Sequence, residues 1–464
     1  MMKPYENYRE ANICWVKEIP RHWVSDRIIH LFIENKEANF DLSETNALQF
    51  KFGELIPKKK FKLDDELKKT LSKYTKVKPK DIIINGLNLN YDFLTNRIGL
   101  VKQKGIITSA YIAIRPRQQI NVEYFALLLK NLDARKIFNG MGSGIRLTLD
   151  FSELKKMELP IPPKAEQDQI VHFLDWKLSK INKLIKAKKK QIDLLNEQKQ
   201  AIINKAVTRG LDNNVSLKDS GVFWLGLIPE NWTVNRLKRF CKVNASIAHL
   251  TSNYCDDDLL VFLAMESVSA QGEIDCSVMR KYKDIKNGYS SFEKNDVVVA
   301  KITPCFENGK GACLDLLPTQ IGFGTTEFIT LRVNESMLPK YLYYITQISW
   351  FRLMGADVMT GSAGQKRVPS NFIANFCIGV PNISEQQGII EYIEESKAEI
   401  ANMVSKIQRQ IDLLSEYKTS LISTVVTGQV DVRNIVVPDF DHDEEPTEEI
   451  FVEDLEETEE TEVE

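Results

Sequence analysis

The sequence predicts an α+β protein with a pseudo-twofold internal repeat, in which two mixed α/β domains are joined by two long helices that form an antiparallel coiled coil. Three observations predict this class. The 464 residues exceed the usual size of one domain, one helical segment occurs twice, and both copies keep apolar residues at coiled-coil spacing. We expect the domains at 1–160 and 211–379, the helices at 161–210 and 380–432, and an acidic, disordered tail at 433–464.

The internal repeat is clearest in the helices. "QIDLLNEQK" at 191–199 returns as "QIDLLSEYK" at 410–418, with seven of nine positions identical. Around it, 161–212 aligns without a gap on 380–431, with 16 identities in 52 positions. Earlier segments correspond in the same order: "WVKEIPRHW" with "WLGLIPENW", "KDIIING" with "NDVVVAK", and "TSAYIAIR" with "TTEFITLR". This order indicates duplication of a unit made of one α/β domain and one helix.

The two domains are predicted from short β-branched runs between turn signals. The predicted strands are "DIIIN", "AYIAIR", "DVVVAKI" and "EFITLRV", and the predicted helices are "VEYFALLLKNL" and "PKYLYYITQIS". Strands and helices do not alternate regularly, so we do not expect a doubly wound nucleotide-binding sheet.

Each long helix carries an apolar seam whose residues are spaced by four and three positions. A helix over about 165–208 would be roughly 66 Å long, and its seam needs a partner, for which the other copy is the nearest candidate. A pseudo-twofold relation makes this pairing antiparallel. Lys199 and Lys418 interrupt the seams at equivalent positions, either snorkelling at the edge or fixing the register. The seam residues expected to pack are Ile181, Ile185, Ile192, Leu195, Ile400, Val404, Ile411 and Leu414.

The net charge of −3 hides a strong asymmetry. Residues 439–464 contain 15 acidic residues and no Lys or Arg, which leaves 61 basic and 49 acidic residues in 1–438, a formal charge of +12. A basic body is compatible with a polyanion partner, although many soluble proteins share this balance. The tail has too few apolar residues to pack, so we expect it to be disordered.

The sequence offers no catalytic or metal centre. The seven cysteines form no C-x-x-C pair, the five histidines are dispersed, and "MTGSAGQKRV" departs from the phosphate-binding loop pattern. The prolines of "IPPKAEQ" lack the flanking groups of an amino-methylation motif. No run approaches the ~18 apolar residues of a membrane span, and no signal peptide is visible. We expect a cytoplasmic protein with reduced thiols, no membrane association, no cofactor and no catalytic residue of its own.

Polar loops in both halves suit nucleic acid. Asn can pair bidentately with adenine and Arg with guanine in the major groove, whereas Lys more often contacts phosphate. "NGLNLNYDFLTNR" at 85–97, "KITPCFENGKG" at 301–311 and "GSAGQKR" at 361–367 supply these side chains. The candidate DNA-binding residues are Asn85, Asn88, Asn90, Arg97, Arg146, Lys301, Lys310, Gln365, Lys366 and Arg367.

The chain resembles the specificity subunit of type I restriction-modification systems over about residues 1–432. The resemblance is carried by the order of elements, by "WVKEIPRHW", "WLGLIPENW", "KITPCFENGKG" and "KAVTRGLD", and by the Glu-Gln pair before each long helix. The acidic tail departs from the family pattern.

This resemblance implies that each globular half is a target-recognition domain that reads one part of a split double-stranded DNA site. The helices would set the spacing and dock two methyltransferase (modification) subunits, and restriction/translocase subunits would join through the complex. S-adenosylmethionine, ATP and Mg²⁺ would then belong to partner subunits, and this chain would be non-catalytic.

Two other functions stay open at this point. A coiled-coil protein scaffold without DNA binding would account for the strong helical pattern beside individually weak basic clusters. A stand-alone modification enzyme would need a catalytic centre that the sequence does not display.

Overall fold

The computed structural model describes residues 3–51, 53–58, 65–89, 96–117, 119–141, 147–362 and 364–440. The chain forms two compact units. Unit 1 comprises Met1–Lys188 and Arg409–Glu464, and unit 2 comprises Lys189–Gln408. Each unit therefore combines one predicted α/β domain with the beginning of one long helix and the end of the other.

Unit 1 has short strands and one substantial domain helix. Its strands are β1 Tyr8–Ile13, β2 Val16–Pro20, β3 Val24–Arg27, β4 Phe32–Glu34, β5 Leu48–Lys51, β6 Glu54–Pro57, β7 Thr75–Val77, β8 Ile82–Ile84, β9 Ile98–Leu100, β10 Gly105–Ile107, β11 Ile112–Pro116 and β12 Glu158–Ile161. Its helices are α1 Ile28–Leu31, α2 Asp65–Ser72, α3 Val122–Ala134, α4 Phe151–Leu154 and the first part of α5 Lys164–Arg209.

A four-stranded antiparallel sheet in the order β4-β11-β8-β9 is the centre of unit 1. Its strands are buried on both faces. Ile82 and Ile84 join the main core with Phe125 of α3, whereas Ile83 belongs to a second cluster with Leu48. This alternation follows from the two-residue period of a strand, and it explains why β8 is an uninterrupted isoleucine run.

Unit 2 repeats this plan with more sheet. Its strands are β13 Leu217–Asp219, β14 Leu227–Pro229, β15 Thr233–Arg236, β16 Cys241–Val243, β17 Leu259–Leu263, β18 Met279–Lys281, β19 Ser290–Glu293, β20 Val297–Ala300, β21 Gly311–Cys313, β22 Ile321–Gly324, β23 Phe328–Val333 and β24 Cys377–Val380. Its helices are α6 Ala248–Thr251, α7 Tyr282–Ile285, α8 Pro339–Gln347, α9 Ser349–Asp357, α10 Ser370–Asn375 and the first part of α11 Ile383–Val426.

Two four-stranded sheets carry unit 2, in the orders β16-β23-β20-β21 and β18-β17-β22-β19. Strand β20 is again buried on both faces. Val297 and Val299 pack in the core that contains Tyr341 of α8, and Val298 packs in the other cluster with Phe292. The predicted strands thus appear as β8, β11, β20 and β23, and the predicted helices appear as α3 and α8.

The matching Trp and Glu-Gln pairs of the repeat meet at the beginning of each long helix. In unit 1 the Trp23 indole donates to Glu166 at 3.0 Å, and in unit 2 the Trp232 indole donates to Glu385 at 2.9 Å. The adjacent glutamine side chains, Gln167 and Gln386, each accept a backbone N–H at 2.8 Å where α3 and α8 begin. These equivalent contacts confirm the internal repeat.

Each domain also holds the end of the helix that began in the other unit. The Tyr124 hydroxyl donates to the carbonyl of Val426 at 2.9 Å in unit 1, and the Tyr341 hydroxyl donates to that of Val207 at 3.3 Å in unit 2. A glycine with positive φ follows each helix end, a conformation that L-residues with a Cβ rarely adopt (Gly210, φ 71°). Both long helices are therefore fixed at both ends.

The two helices run antiparallel, as predicted. In unit 1, Gln169 of α5 bonds to the carbonyl of Val432, whereas Asn182, farther along α5, accepts from Lys418, nearer the start of α11. Ile181, Ile400 and Ile411 are buried, and none of the eight predicted seam residues is exposed: Ile185, Ile192, Leu195, Val404 and Leu414 are half-buried. The Lys418–Asn182 hydrogen bond, 3.1 Å long, shows that this seam lysine contacts the partner helix.

Each globular segment begins and ends with one pair of antiparallel strands. Strand β3 pairs with β12 in unit 1, and β15 pairs with β24 in unit 2. The chain thus enters and leaves the segment between these two strands at adjacent positions.

The first eight residues of the predicted disordered tail, 433–440, belong to the ordered part of unit 1. Residues 433–440 pack on unit 1, where Ile435 and Val437 contact its core and the Arg433 guanidinium lies 5.1 Å from the centre of the Tyr5 ring. Charge counting missed these apolar residues because they precede the strongly acidic part. The remainder of the predicted tail, 441–464, lies outside the described residues.

Candidate nucleic-acid interface

A buried Asp–Arg pair supports the candidate loop in each unit. Arg115 donates through Nε and Nη2 to the two oxygens of Asp81, and Arg332 does the same to Asp296, all at 2.8 Å. Asp81 and Asp296 precede β8 and β20, and the arginines lie on β11 and β23. These bidentate hydrogen bonds raise the pKa of both guanidinium groups and fix the strands that lead into the loops.

The unit 1 loop, residues 85–89, follows β8 and lies against a second segment. Leu149 N–H donates to the carbonyl of Gly86 at 2.9 Å, and Leu89 N–H donates to that of Leu147 at 3.2 Å. A Cβ on Gly86 would lie 2.3 Å from the Leu149 oxygen, so only glycine permits this approach. Two predicted contacts, Asn85 and Asn88, are half-buried in this loop.

The structure does not support the predicted DNA contact by Arg97. Its side chain is 1% exposed, and its guanidinium donates to the carbonyls of Asn85, Leu87 and Asn88 at 3.2, 2.6 and 3.3 Å. Asp133 lies 3.9 Å from its Nε. Arg97 therefore fixes the unit 1 loop, because its guanidinium donates to backbone carbonyl groups of the loop that point toward the protein interior. The other unit 1 candidates, Asn90 and Arg146, lie outside the described residues.

The unit 2 loop, residues 301–310, follows β20 and is paired in the equivalent way. Val368 N–H donates to the Lys301 carbonyl at 2.8 Å, and Thr303 N–H donates to the Lys366 carbonyl at 3.0 Å. Two segments that are more than 50 residues apart in sequence are thus joined along one edge. The Lys310 carbonyl accepts from Ala300 N–H at 2.9 Å at the other end of the loop.

All five predicted DNA-binding residues of unit 2 lie along these joined segments, which we call the unit 2 loop surface. Gln365 and Lys366 are exposed, and Lys301 and Lys310 are half-buried. Arg367 is 41% exposed and is paired with Glu327 through Nε and Nη2, with the shortest contact 2.8 Å. This pairing lowers the pKa of Glu327, so the carboxylate stays ionised and orients the arginine.

A depression of about 630 Å³ adjoins this surface and was not anticipated from the sequence. The Arg280 guanidinium lies 3.9 Å from the centre of the Phe262 ring, and Tyr289 meets that ring edge-on at 4.9 Å. Thr325 and Thr326, next to Glu327, line the same depression. A cation, an exposed aromatic edge and hydroxyl groups can contact bases and phosphates, but their spacing in the sequence gives no local motif.

The long helices present a second candidate surface at equivalent positions of the repeat. Leu184 and Met403 are 52% and 49% exposed, and Leu194 and Leu413 are 53% and 55% exposed. Both pairs are separated by the repeat offset of 219 residues. Each unit carries one member of each pair, so the two units expose matching apolar side chains outside the seam.

The described residues contain neither a metal site nor a membrane span. Over the described ranges, His, Cys, Asp and Glu form no group of three or more that could hold a metal ion. The seven cysteines are free thiols, and burial raises the pKa of Cys241 and Cys313 to about 12, so these two remain protonated. Within that same described part of the chain, no helix is both long and apolar enough to cross a membrane.

Comparisons with known proteins agree on one family. The sequence matches the type I restriction modification DNA specificity domain over residues 72–194 and 229–412. The type I restriction enzyme EcoAI specificity subunit of Escherichia coli is 32% identical over 212 residues, which cover 45% of this chain and 34% of that protein. This chain thus spans only 34% of the length of that curated relative.

Two further comparisons cover more of the chain. The type I restriction enzyme MjaVIII specificity subunit of Methanocaldococcus jannaschii is 23% identical over 374 residues, 78% of this chain and 84% of that one. A solved chain from a study of complex assembly and conformational transition in the type I R-M system has a TM-score of 0.63 at 13% identity. That match covers 89% of this chain and 99% of the solved one, and it concerns the fold alone.

Proposed function

This chain belongs to the type I restriction modification DNA specificity family, and we propose that it is the non-catalytic, sequence-recognising subunit of a type I complex. One observation carries the proposal: the same buried Asp–Arg pair supports a different polar loop in each unit. A repeated framework with dissimilar loops is what two readers of one asymmetric, bipartite DNA site require.

The unit 2 loop surface supports DNA contact most directly. Lys366 and Gln365 are exposed beside Arg367, whose partner Glu327 adjoins the depression lined by Arg280. We propose that the lysines contact phosphates, and that Gln365 and Arg280 reach base edges. In unit 1 the corresponding contacts would come from Asn85 and Asn88, with Arg97 holding the loop that carries them.

The long helices would bind the partners and set the distance between half-sites. Two copies of one methyltransferase subunit need two equivalent surfaces, and the exposed pairs Leu184/Met403 and Leu194/Leu413 recur at the repeat offset. S-adenosylmethionine, ATP and Mg²⁺ would belong to the methyltransferase and restriction/translocase subunits, and the complex would act in the cytoplasm.

Mapping modified bases in host DNA tests the recognition role. The chain is expressed with its methyltransferase subunits, and single-molecule sequencing should reveal a discontinuous methylated motif. Changing Gln365→Ala together with Lys366→Ala should weaken methylation or relax one half of this motif only. The control Lys238→Ala with Lys242→Ala alters exposed lysines of unit 2 outside the loop surface and should change neither half.

Either of two results would refute this role. One is a set of methylated motifs that is unchanged when the gene is deleted. The other is an assembled complex whose DNA binding is absent or insensitive to salt, because phosphate contacts make affinity fall steeply with salt. The second result would favour the coiled-coil scaffold, whereas methyl transfer by the purified chain alone would favour a stand-alone enzyme.

Partner docking has a separate test. Leu184→Ser with Leu413→Ser alters unit 1, and Leu194→Ser with Met403→Ser alters unit 2. Each double variant should lose one of two bound methyltransferase copies, measured as the mass of the complex by light scattering. Leu353→Ser, at an exposed leucine of α9, is the matched control. Two bound copies in both double variants would place the docking surface elsewhere.

A further inference from the structure

The last described residues of the chain follow one face of α5. The Gln169 side-chain amide donates to the carbonyls of Val432 at 3.0 Å and Ile435 at 2.8 Å. The Phe440 ring lies 5.8 Å from the His172 ring. Later residues of the terminal segment thus meet later positions of α5. At Phe440 the chain is therefore running along α5 toward the middle of the helix.

The face that the terminal segment follows becomes basic immediately beyond His172. Positions 169, 172, 176, 180 and 183 repeat at steps of three and four, so they share one side of the helix. Lys180 Nζ lies 4.6 Å from the centre of the Trp176 ring, and Lys177, half-buried and about 100° farther round the helix, reaches to 4.1 Å from the same ring with its Nζ. We call Trp176, Lys177, Lys180 and Lys183 the lysine face.

The lysine face points away from the seam with α11. Seam residues Ile181 and Ile185 are buried and half-buried, whereas Lys180 and Lys183 are exposed. The seam with α11 therefore does not cover the lysine face.

The chain beyond Phe440 has the charge and the length to cover this face. Residues 441–464 contain 14 acidic residues and no Lys or Arg. From His172 to Lys183 the helix rises about 16 Å. A segment of 24 residues can span up to roughly 80 Å, so its reach is ample.

We propose that the acidic segment 441–464 docks in cis on the lysine face of α5. Its carboxylates pair with Lys177, Lys180 and Lys183, and tethering at Phe440 keeps their effective concentration high. The docked segment shields these lysines from the phosphates of nucleic acid, so it suppresses DNA binding that does not use the recognition loops. This shielding role rests on the proposed function, whereas the docking itself does not.

Carbodiimide crosslinking of the full chain tests the docking without DNA. This reagent joins a carboxylate to a nearby lysine amine, and mass spectrometry should find links from residues 441–464 to Lys177, Lys180 or Lys183. The links should disappear at high salt, which screens exposed charges. Mixing ¹⁵N-labelled with unlabelled chains should give links within one isotopic species only.

Two results of this experiment would overturn the docking. Mixed-isotope links would assign the contact to a second chain, and links confined to other lysines would assign it to another surface. The triple variant Lys177→Gln, Lys180→Gln, Lys183→Gln should abolish the links to positions 177–183. A matched triple of exposed lysines in unit 2, changed by Lys205→Gln, Lys238→Gln and Lys242→Gln, should leave them intact.

A DNA-binding measurement tests the shielding. Glu444→Gln, Glu445→Gln, Glu448→Gln and Glu449→Gln reduce the charge of the segment without shortening the chain. This variant should bind a duplex lacking the recognition site about threefold more tightly at low salt, and the gain should shrink as salt rises. Combined with the lysine triple variant, it should give no gain. An equal gain in both backgrounds would refute shielding at this face, and crosslinking would still report on docking separately.

Discussion

The loops of units 1 and 2 have the same support, but the arginine associated with each loop is placed differently. In unit 1 a buried arginine, Arg97, donates to three loop carbonyls and leaves asparagines at the surface. In unit 2 the arginine of the loop, Arg367, stays 41% exposed and is oriented by Glu327. Beneath both loops, the Asp–Arg pairs have the same geometry. The two units therefore share the strands that the Asp–Arg pairs fix. They differ in the polar side chains of the loops that follow those strands.

The largest expected effect comes from removing the Asp–Arg pairs that support both loops. Asp81→Ala should lower the free energy of unfolding by about 4 kcal/mol, because it leaves Arg115 without its buried partner. Asp296→Ala should cost about 3 kcal/mol, because Glu293 remains 2.5 Å from Arg332 whereas Glu37 is 3.6 Å from Arg115. Urea denaturation followed by circular dichroism measures both. Asp257→Ala, in an exposed ion pair, is the control and should leave the free energy of unfolding nearly unchanged. Equal, small losses of unfolding free energy in all three variants would show that the Asp–Arg pairs do not stabilise the fold more than an exposed ion pair does.

The two loop arginines should respond differently to removal of their charge. Arg97→Met should cost on the order of 3 kcal/mol, because it leaves buried carbonyl groups without donors. Arg367→Met should leave the free energy of unfolding nearly unchanged, because its ion pair is partly exposed, and under the proposed function it should weaken DNA binding by the complex. Urea denaturation and fluorescence anisotropy with cognate duplex distinguish the two roles. A stable Arg97→Met variant with normal binding would show that the unit 1 loop does not depend on this residue.

A smaller, symmetrical effect is expected where the domains meet their own helices. Trp23→Phe and Trp232→Phe each remove one indole hydrogen bond to a helix-initial glutamate and part of a fully buried side chain, and each should cost about 2 kcal/mol. Thermal unfolding of both variants should give similar shifts. Losses that differ strongly between the variants would mean that the two helix beginnings are not equivalent in energy, despite equivalent geometry.

The smallest expected effect is the pH dependence of the Glu327–Arg367 pair. Arg367 lowers the pKa of Glu327 from its ordinary 4.5. Stability from this pair is therefore present above pH 4.5 and is lost as the pH falls through the lower folded-state value. The stability difference between the native chain and Arg367→Met should decrease over that window in urea titrations. A difference that grows on acidification would contradict the pairing.

The helices could be predicted from the sequence because their signal is local. Seam spacing at positions such as Ile181 and Ile185 states directly which face must be buried, and the structure confirms it. The repeat also showed that the segments "KDIIING" and "NDVVVAK" correspond to each other. It did not reveal that the aspartate of each pairs with an arginine on another strand, because that contact depends on sheet order.

The loop predictions were less reliable for a physical reason. Composition marks Arg97 and Lys366 alike as basic loop residues, yet one is buried and the other exposed. Burial depends on which backbone carbonyls turn inward, and that is decided by the tertiary contact of Gly86 with Leu149. The depression beside Arg280 escaped prediction likewise, because β17, β18 and β19 bring its residues together from separate segments.

The pairing of β3 with β12, and of β15 with β24, places the two ends of each globular segment side by side. The indole contacts of Trp23 with Glu166 and of Trp232 with Glu385 fall outside these segments, whereas Tyr124 and Tyr341, which contact the ends of the long helices, lie inside them. A foreign segment could therefore replace the original without disturbing the helices only if it kept compatible end strands and also supplied the tyrosine contact to the helix end. Exchange of a whole segment on those terms would alter the polar loops between the end strands while the beginnings of both long helices kept their indole contacts.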